Sequence, residues 1–169
     1  MKATALLEKQ HRKVKTLFSK LEKGRGDPAE LLTELANDLA AHMTIEQEIF
    51  YPAIKHIDAD LVLEAYEEHA LAEIALKRLL DSDPEGESFK ACVVAAKELV
   101  LHHVEEEEEE LFPKVEKKLG PEKLAALGKS MQERFDEVVE AGFEASVPRG
   151  YAKTSADASK KFMAMASDA

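Results

Sequence analysis

The feature that most limits what this chain can fold into is a segment that occurs twice. His42-Met-Thr-Ile-Glu-Gln-Glu-Ile-Phe-Tyr-Pro52 and His103-Val-Glu-Glu-Glu-Glu-Glu-Glu-Leu-Phe-Pro113 each read His, three residues, Glu, then an apolar pair and a Pro. The two histidines, and likewise the two prolines, are 61 residues apart, which points to a duplicated unit. A His and a Glu at i and i+4 lie one turn apart on the same helix face, so both side chains can reach one metal ion. One such pair is weak evidence; two in register ask whether the rest of the chain completes a site.

Helical periodicity surrounds both copies. The first helix is expected from Thr4, as N-cap, to Lys23, with the inward stripe Thr4, Leu7, His11, Val14, Phe18 and Leu21 and a stop at Gly24. The second opens on Asp27-Pro28-Ala29-Glu30, a cap followed by Pro at the first helical position, and carries Leu32, Leu35, Leu39, His42, Glu46 and Ile49 until Pro52 ends or kinks it. The third, from about Asp58, shows Val62, Tyr66, His69, Glu73, Leu76 and Leu80 on one face. After the loop Asp-Ser-Asp-Pro-Glu-Gly-Glu, Ser88 caps a fourth helix bearing Cys92, Val93, Ala96, Val100, His103, Glu107 and Leu111. A fifth helix is expected from Pro121 to about Ala145, and a short amphipathic turn at Phe162, Met163 and Met165 in the tail.

Each of the first four stripes contains one histidine, and the hairpins align them. His11 precedes the turn at Gly24 by 13 residues and His42 follows Asp27 by 15; His69 precedes Ser82 by 13 and His103 follows Ser88 by 15. At 1.5 Å rise per residue all four lie about 20 Å from their turns. The fold implied is all-α: an up-down antiparallel four-helix bundle of two duplicated hairpins over residues 1–120, an additional C-terminal helix over 121–145 packed on or beside it, and a tail over 146–169.

Composition suits this: of 169 residues 45% are hydrophobic and 34% charged, with no Trp. The net charge of −11 argues against nucleic acid or an anionic membrane as partner. A single cysteine, Cys92, in an apolar helical flank reads as a small buried hydrophobe. With neither a signal peptide nor a membrane-length apolar run, the chain is expected to be cytoplasmic.

Packed together, the hairpins bring His11, His42, His69 and His103 to one level, with Glu46 and Glu107 a turn away. Imidazole nitrogens mixed with carboxylate oxygens suit iron, manganese or zinc, and two symmetry-related carboxylates can bridge a metal pair. Here the pattern resembles hemerythrin-like proteins of the HHE cation-binding class, over about Thr4 to Leu119. The resemblance implies two non-haem iron ions, one held by His11 and His42 and the other by His69 and His103. Glu46 and Glu107 would bridge them beside an oxo or hydroxo group. Glu73 departs from the oxygen-carrying members, which resemble this chain elsewhere but have a fifth His four residues after the third-helix His, and it becomes a candidate third ligand of the His69 ion. Lys15 holds the matching place in the first hairpin, which would leave the His11/His42 ion with an open position.

Several neighbours have plainer readings. Most of the run Glu105 to Glu110 must be a solvated face, since six consecutive positions wrap the helix more than once. His102 with Glu106 repeats the spacing out of register, His56 falls near a loop, and Tyr66 is read as core packing. Phe18, Leu39, Ile49 and Val100 are read as the apolar wall of the site. The function implied is a non-haem diiron protein that binds or responds to dioxygen, peroxide, nitric oxide or iron. The alternatives are a diiron oxidase or peroxidase, and a helical interaction module without metal.

Overall fold

Every element of the described residues, 1–145 of this computed structural model, is helical. The chain runs α1 (Ala3–Glu22), α2 (Pro28–Ile45), a π-helical turn (Glu46–Phe50), α3 (Tyr51–Ile54), α4 (Ala59–Leu80), α5 (Phe89–Glu106), a second π-helical turn (Glu107–Leu111), α6 (Phe112–Lys118) and α7 (Pro121–Ala141), then a 3₁₀ turn (Phe143–Ala145). Two hairpins, α1–α2 and α4–α5, form the bundle, with α1 also against α5 and α2 against α4, while α7 lies across α1 and α2. The expected tail, with its turn at Phe162, lies outside the described residues.

Local chemistry sets most of the ends. Asp27 caps α2 by accepting from the Ala29 and Glu30 amides at 2.8 and 3.2 Å, and Asp58 caps α4 by accepting from Leu61 at 3.2 Å. Two expected caps are replaced. Thr4 lies inside α1, and its hydroxyl donates instead to Glu116 Oε1 at 2.6 Å, tying α1 to α6; Ser88 precedes α5 without a side-chain cap bond. The last long helix stops at Ala141 because Gly142 takes a left-handed φ of 81°, earlier than the apolar pattern suggested.

Helical residues continue past both Pro52 and Pro113. Pro has no N–H and its ring crowds the carbonyl four residues back. Each helix answers by widening for one turn: Tyr51 N–H bonds the Glu46 carbonyl and Phe112 N–H bonds that of Glu107, five residues back in both cases. The wider turn shifts the register by about one residue. Ile49, expected on the inward stripe, is therefore only half-buried, while Phe50 and Tyr51 are fully buried. The Gln47 carbonyl, which Pro52 cannot bond, accepts from the buried Tyr66 hydroxyl at 3.0 Å.

The core divides in two. One cluster, with Phe18, Leu35, Leu39, Leu76, Val93 and Val100, fills the hairpin-loop end; Cys92 packs against it half-buried. The other, with Leu6, Ile45, Phe50, Tyr51, Leu111 and Met131, fills the opposite end. The histidine level separates them. In α7, Leu124, Met131 and Val138 face inward, and Gly128 sits directly on the start of α1: a Cβ there would lie 2.3 Å from the Met1 carbonyl oxygen and 2.9 Å from the Ala3 nitrogen. Gly128→Ala should therefore lower stability by about 1–3 kcal/mol, seen as a lower urea midpoint, although Ala is the better helix former by about 1 kcal/mol. A midpoint that rises would mean that α7 does not approach α1 this closely.

Candidate metal centre

Four histidines, one from each long bundle helix, point their Nε2 atoms into the layer between the two cores. His11 on α1 and His42 on α2 bring theirs to 3.2 Å, and His69 on α4 and His103 on α5 to 3.1 Å. Two nitrogens each about 2.1 Å from one ion and roughly at right angles to it stand about 3 Å apart, so each pair has the spacing of two ligands on one metal. Glu46 Oε2 is 3.2 Å from His42 Nε2 and 3.3 Å from His69 Nε2. Glu107 Oε2 is 3.4 Å from His11 Nε2 and 3.7 Å from His103 Nε2. Each carboxylate thus touches one imidazole of each pair.

The opposite ring nitrogens are tied down as well. His11 Nδ1 donates to Glu108 Oε1 at 2.8 Å, His42 Nδ1 to Gln10 Oε1 at 2.9 Å and His103 Nδ1 to Glu68 Oε2 at 2.8 Å. The Gln47 amide nitrogen lies 3.0 Å from His69 Nδ1, and a half-turn of that amide presents the oxygen an Nδ1–H requires. A proton fixed on Nδ1 leaves the Nε2 lone pair facing the centre, which is the orienting arrangement of histidine metal ligands. These four partners occupy matching places: Gln10 and Glu68 precede the first His of each hairpin, and Gln47 and Glu108 follow its Glu. The duplication made them legible in the sequence, yet only the ligand positions stand out there.

Electrostatics favours a cation at this place. Both oxygens of Glu46 and Oε2 of Glu107 are buried without a hydrogen-bond partner. Burial, followed by repulsion from Glu107, pushes the Glu46 carboxyl well above its ordinary range. Burial would raise Glu107 too, but the imidazoles of His103 and His11 outweigh it and hold that carboxyl low. Burial keeps His42 and His69 well below the ordinary imidazole value, hence neutral and able to ligate. At His11 burial opposes the charged form, yet the bonds to Glu107 and Glu108 prevail and raise it. A divalent ion would supply the positive charge that this buried, oxygen-rich layer otherwise takes from protons.

Of the residues singled out in the sequence, the structure brings His11, His42, Glu46, His69, His103 and Glu107 together, all buried. Glu73, one turn beyond His69, is half-buried, and Ala72 beside it lines the cavity above the histidines. Lys15 pairs outward with Glu108 at 3.4 Å. Of the acidic run, only Glu107 is fully buried, and His56 is exposed. Of the expected apolar wall, Leu39 and Val100 line the cavity, whereas Phe18 lies deeper in the core. That cavity measures about 20 Å³ and is lined by Val14, Leu39, Met43, Val100 and Val104 beside the four imidazoles, enough for one water-sized molecule.

Tyr51 was missed by periodicity. Nine residues after His42 it would face away on a regular helix, but the π-helical turn brings it round. Its hydroxyl donates to Glu107 Oε1 at 3.0 Å and lies 3.3 Å from His69 Nε2. The equivalent residue of the second copy is Phe112, which stacks on His11 at 5.9 Å and brings no oxygen.

Fold and donor set together define a histidine–carboxylate metal centre buried in a four-helix bundle. The model of the hemerythrin HHE cation-binding domain matches residues 2–115, and the chain belongs to that family. A crystal structure of a hemerythrin HHE cation-binding domain-containing protein from Mycobacterium kansasii shares the fold, with a TM-score of 0.74 at 24% identity over 83% of this chain and 89% of that one. A DNA nickase from Nostoc sp. is 29% identical over 122 residues, 69% of this chain, which spans 34% of that protein's length.

Because His11 and Glu46 both hold protons more tightly than usual, metal binding should release protons. Calorimetry in buffers of different ionisation enthalpy should detect that release, with apparent affinity falling as pH drops from about 8 to about 6. Affinity independent of pH over that window would contradict the donor set.

Proposed function

We propose that this chain is a non-haem dinuclear metal protein whose resident ions are iron. His11 and His42 would hold one ion, His69 and His103 the other, and Glu46 and Glu107 would span both. The observation that carries this reading is the pair of buried Glu46 oxygens without a hydrogen-bond partner among four convergent Nε2 atoms. Four borderline nitrogens with two hard bridging carboxylates suit iron, with manganese or zinc as competitors for the same donors. When bound, such a pair supplies redox and Lewis-acid chemistry; the chain's own part is to exclude water, fix the imidazoles and admit one small molecule.

The cavity over the histidines, at about 20 Å³, leaves room only for a very small molecule, and dioxygen, peroxide or nitric oxide are the proposed ligands. Tyr51 would give the His69/His103 position an additional oxygen, while Phe112 leaves the His11/His42 position open. A second reading, a diiron oxidase or peroxidase, is favoured by the Tyr51 hydroxyl, a neutral proton donor that burial and the carboxylates Glu107 and Glu46 hold well above its ordinary pKa. The Nostoc nickase would suggest nucleic acid as substrate, but a net charge of −11 makes approach to a polyanion costly, and a small molecule is the proposed ligand. No helix among the described residues is long and apolar enough to cross a membrane.

Chain purified from iron-supplemented cells should contain about two ions per molecule, and His42→Ala or His103→Ala should lose at least one and melt at lower temperature. Metal well below one per chain, with melting indifferent to chelator, would remove the proposal. Dioxygen taken up by the reduced protein and released unchanged under vacuum would favour a carrier over the oxidase.

A further inference from the structure

Away from the buried layer, the described residues contain another convergent donor set, on the outer face of α4 and α5. Glu68, His102 and Glu106 bring one ligand atom each to within 4.8 Å of one another. His102 Nε2 lies 3.7 Å from Glu68 Oε1 and 3.5 Å from Glu106 Oε1. The imidazole is 65% exposed, whereas the two carboxylates are largely covered, at 16% and 27%. Glu68 belongs to both layers: its Oε2 accepts from Nδ1 of the buried His103 at 2.8 Å while its Oε1 faces His102. One carboxylate therefore separates solvent from a residue of the buried centre.

The duplication provides an internal control for reading this as more than a solvated helix face. In the first hairpin the same places are held by Gln10, Ala41 and Ile45, all buried, with Ile45 packed in the cluster that contains Leu124 and Met131 of α7. The fold thus does not require an imidazole and two carboxylates at these positions: where α7 closes the face, the one polar side chain of the three is Gln10, whose oxygen is taken by His42. Where the face is open, the chain places two carboxylates and an imidazole.

We propose that Glu68, His102 and Glu106 form a surface site for a divalent cation such as Fe2+ or Mn2+, through which ions are loaded into the buried centre. The loading role rests on the dinuclear reading; the surface site does not. An imidazole and two carboxylates, completed by water, make a weak and exchangeable site, as transit requires.

Two measurements test it. In metal-loaded chain, Mn2+ should broaden the imidazole NMR signal of His102 at concentrations that leave exposed His56 sharp, and His102→Ala should abolish the extra binding. In metal-free chain, the double variant His102→Ala/Glu106→Gln should take up Fe2+ about tenfold more slowly than wild type, yet reach the same final content and melting temperature. Equal broadening of both histidines overturns the surface site, and unchanged uptake overturns the loading role. Should wild type take up no buried pair, selective broadening of His102 would still support the surface site, while the loading role would fall with the dinuclear reading.

Discussion

Two carboxylates, Glu46 and Glu107, sit in a buried layer of the bundle with oxygens that no protein donor satisfies, and the architecture around them follows from that. An ionised carboxylate without a partner costs several kcal/mol to bury, and two facing each other cost more. Protons relieve this in part, which is why the Glu46 carboxyl holds its proton so far above the usual range. A cation between the imidazole pairs relieves it fully, so folding and metal binding share one free energy. The apolar clusters above and below the layer keep water from competing for the same oxygens.

Duplication supplies the geometry, and departures from it supply the chemistry. Each hairpin gives two imidazoles and one carboxylate from the same places. The outer partners differ: the first hairpin contributes two amides, Gln10 and Gln47, and the second two carboxylates, Glu68 and Glu108. Since Glu108 reaches across to His11 and Gln47 to His69, each histidine pair has one amide-bonded and one carboxylate-bonded ring. The two histidine pairs are balanced in this respect and unbalanced in another, through Tyr51 and Phe112. The fifth long helix adds a further asymmetry, closing one face of the bundle over Ile45 and leaving the equivalent face at Glu106 open.

Much of this is legible in the sequence. Hairpin spacings of 13 and 15 residues put four histidines at one level, and the echo separated Glu107 from five neighbouring glutamates. What failed did so where regular 3.6-residue periodicity stopped applying. Ile49 and Tyr51 exchange roles because a proline forces a π-helical turn between them and the histidine. At Gly128 the constraint is tertiary: the approach of α1 leaves no room for a side chain, which no local pattern records.

The central claim, that Glu46 and Glu107 together span two ions, is open to one direct measurement: anomalous scattering from crystals of metal-loaded chain, recorded on both sides of the metal's absorption edge. Two anomalous peaks are expected, one beside His11 and His42 and one beside His69 and His103, with both carboxylates between them. A single peak, or density confined to the outer face at His102, would contradict the account.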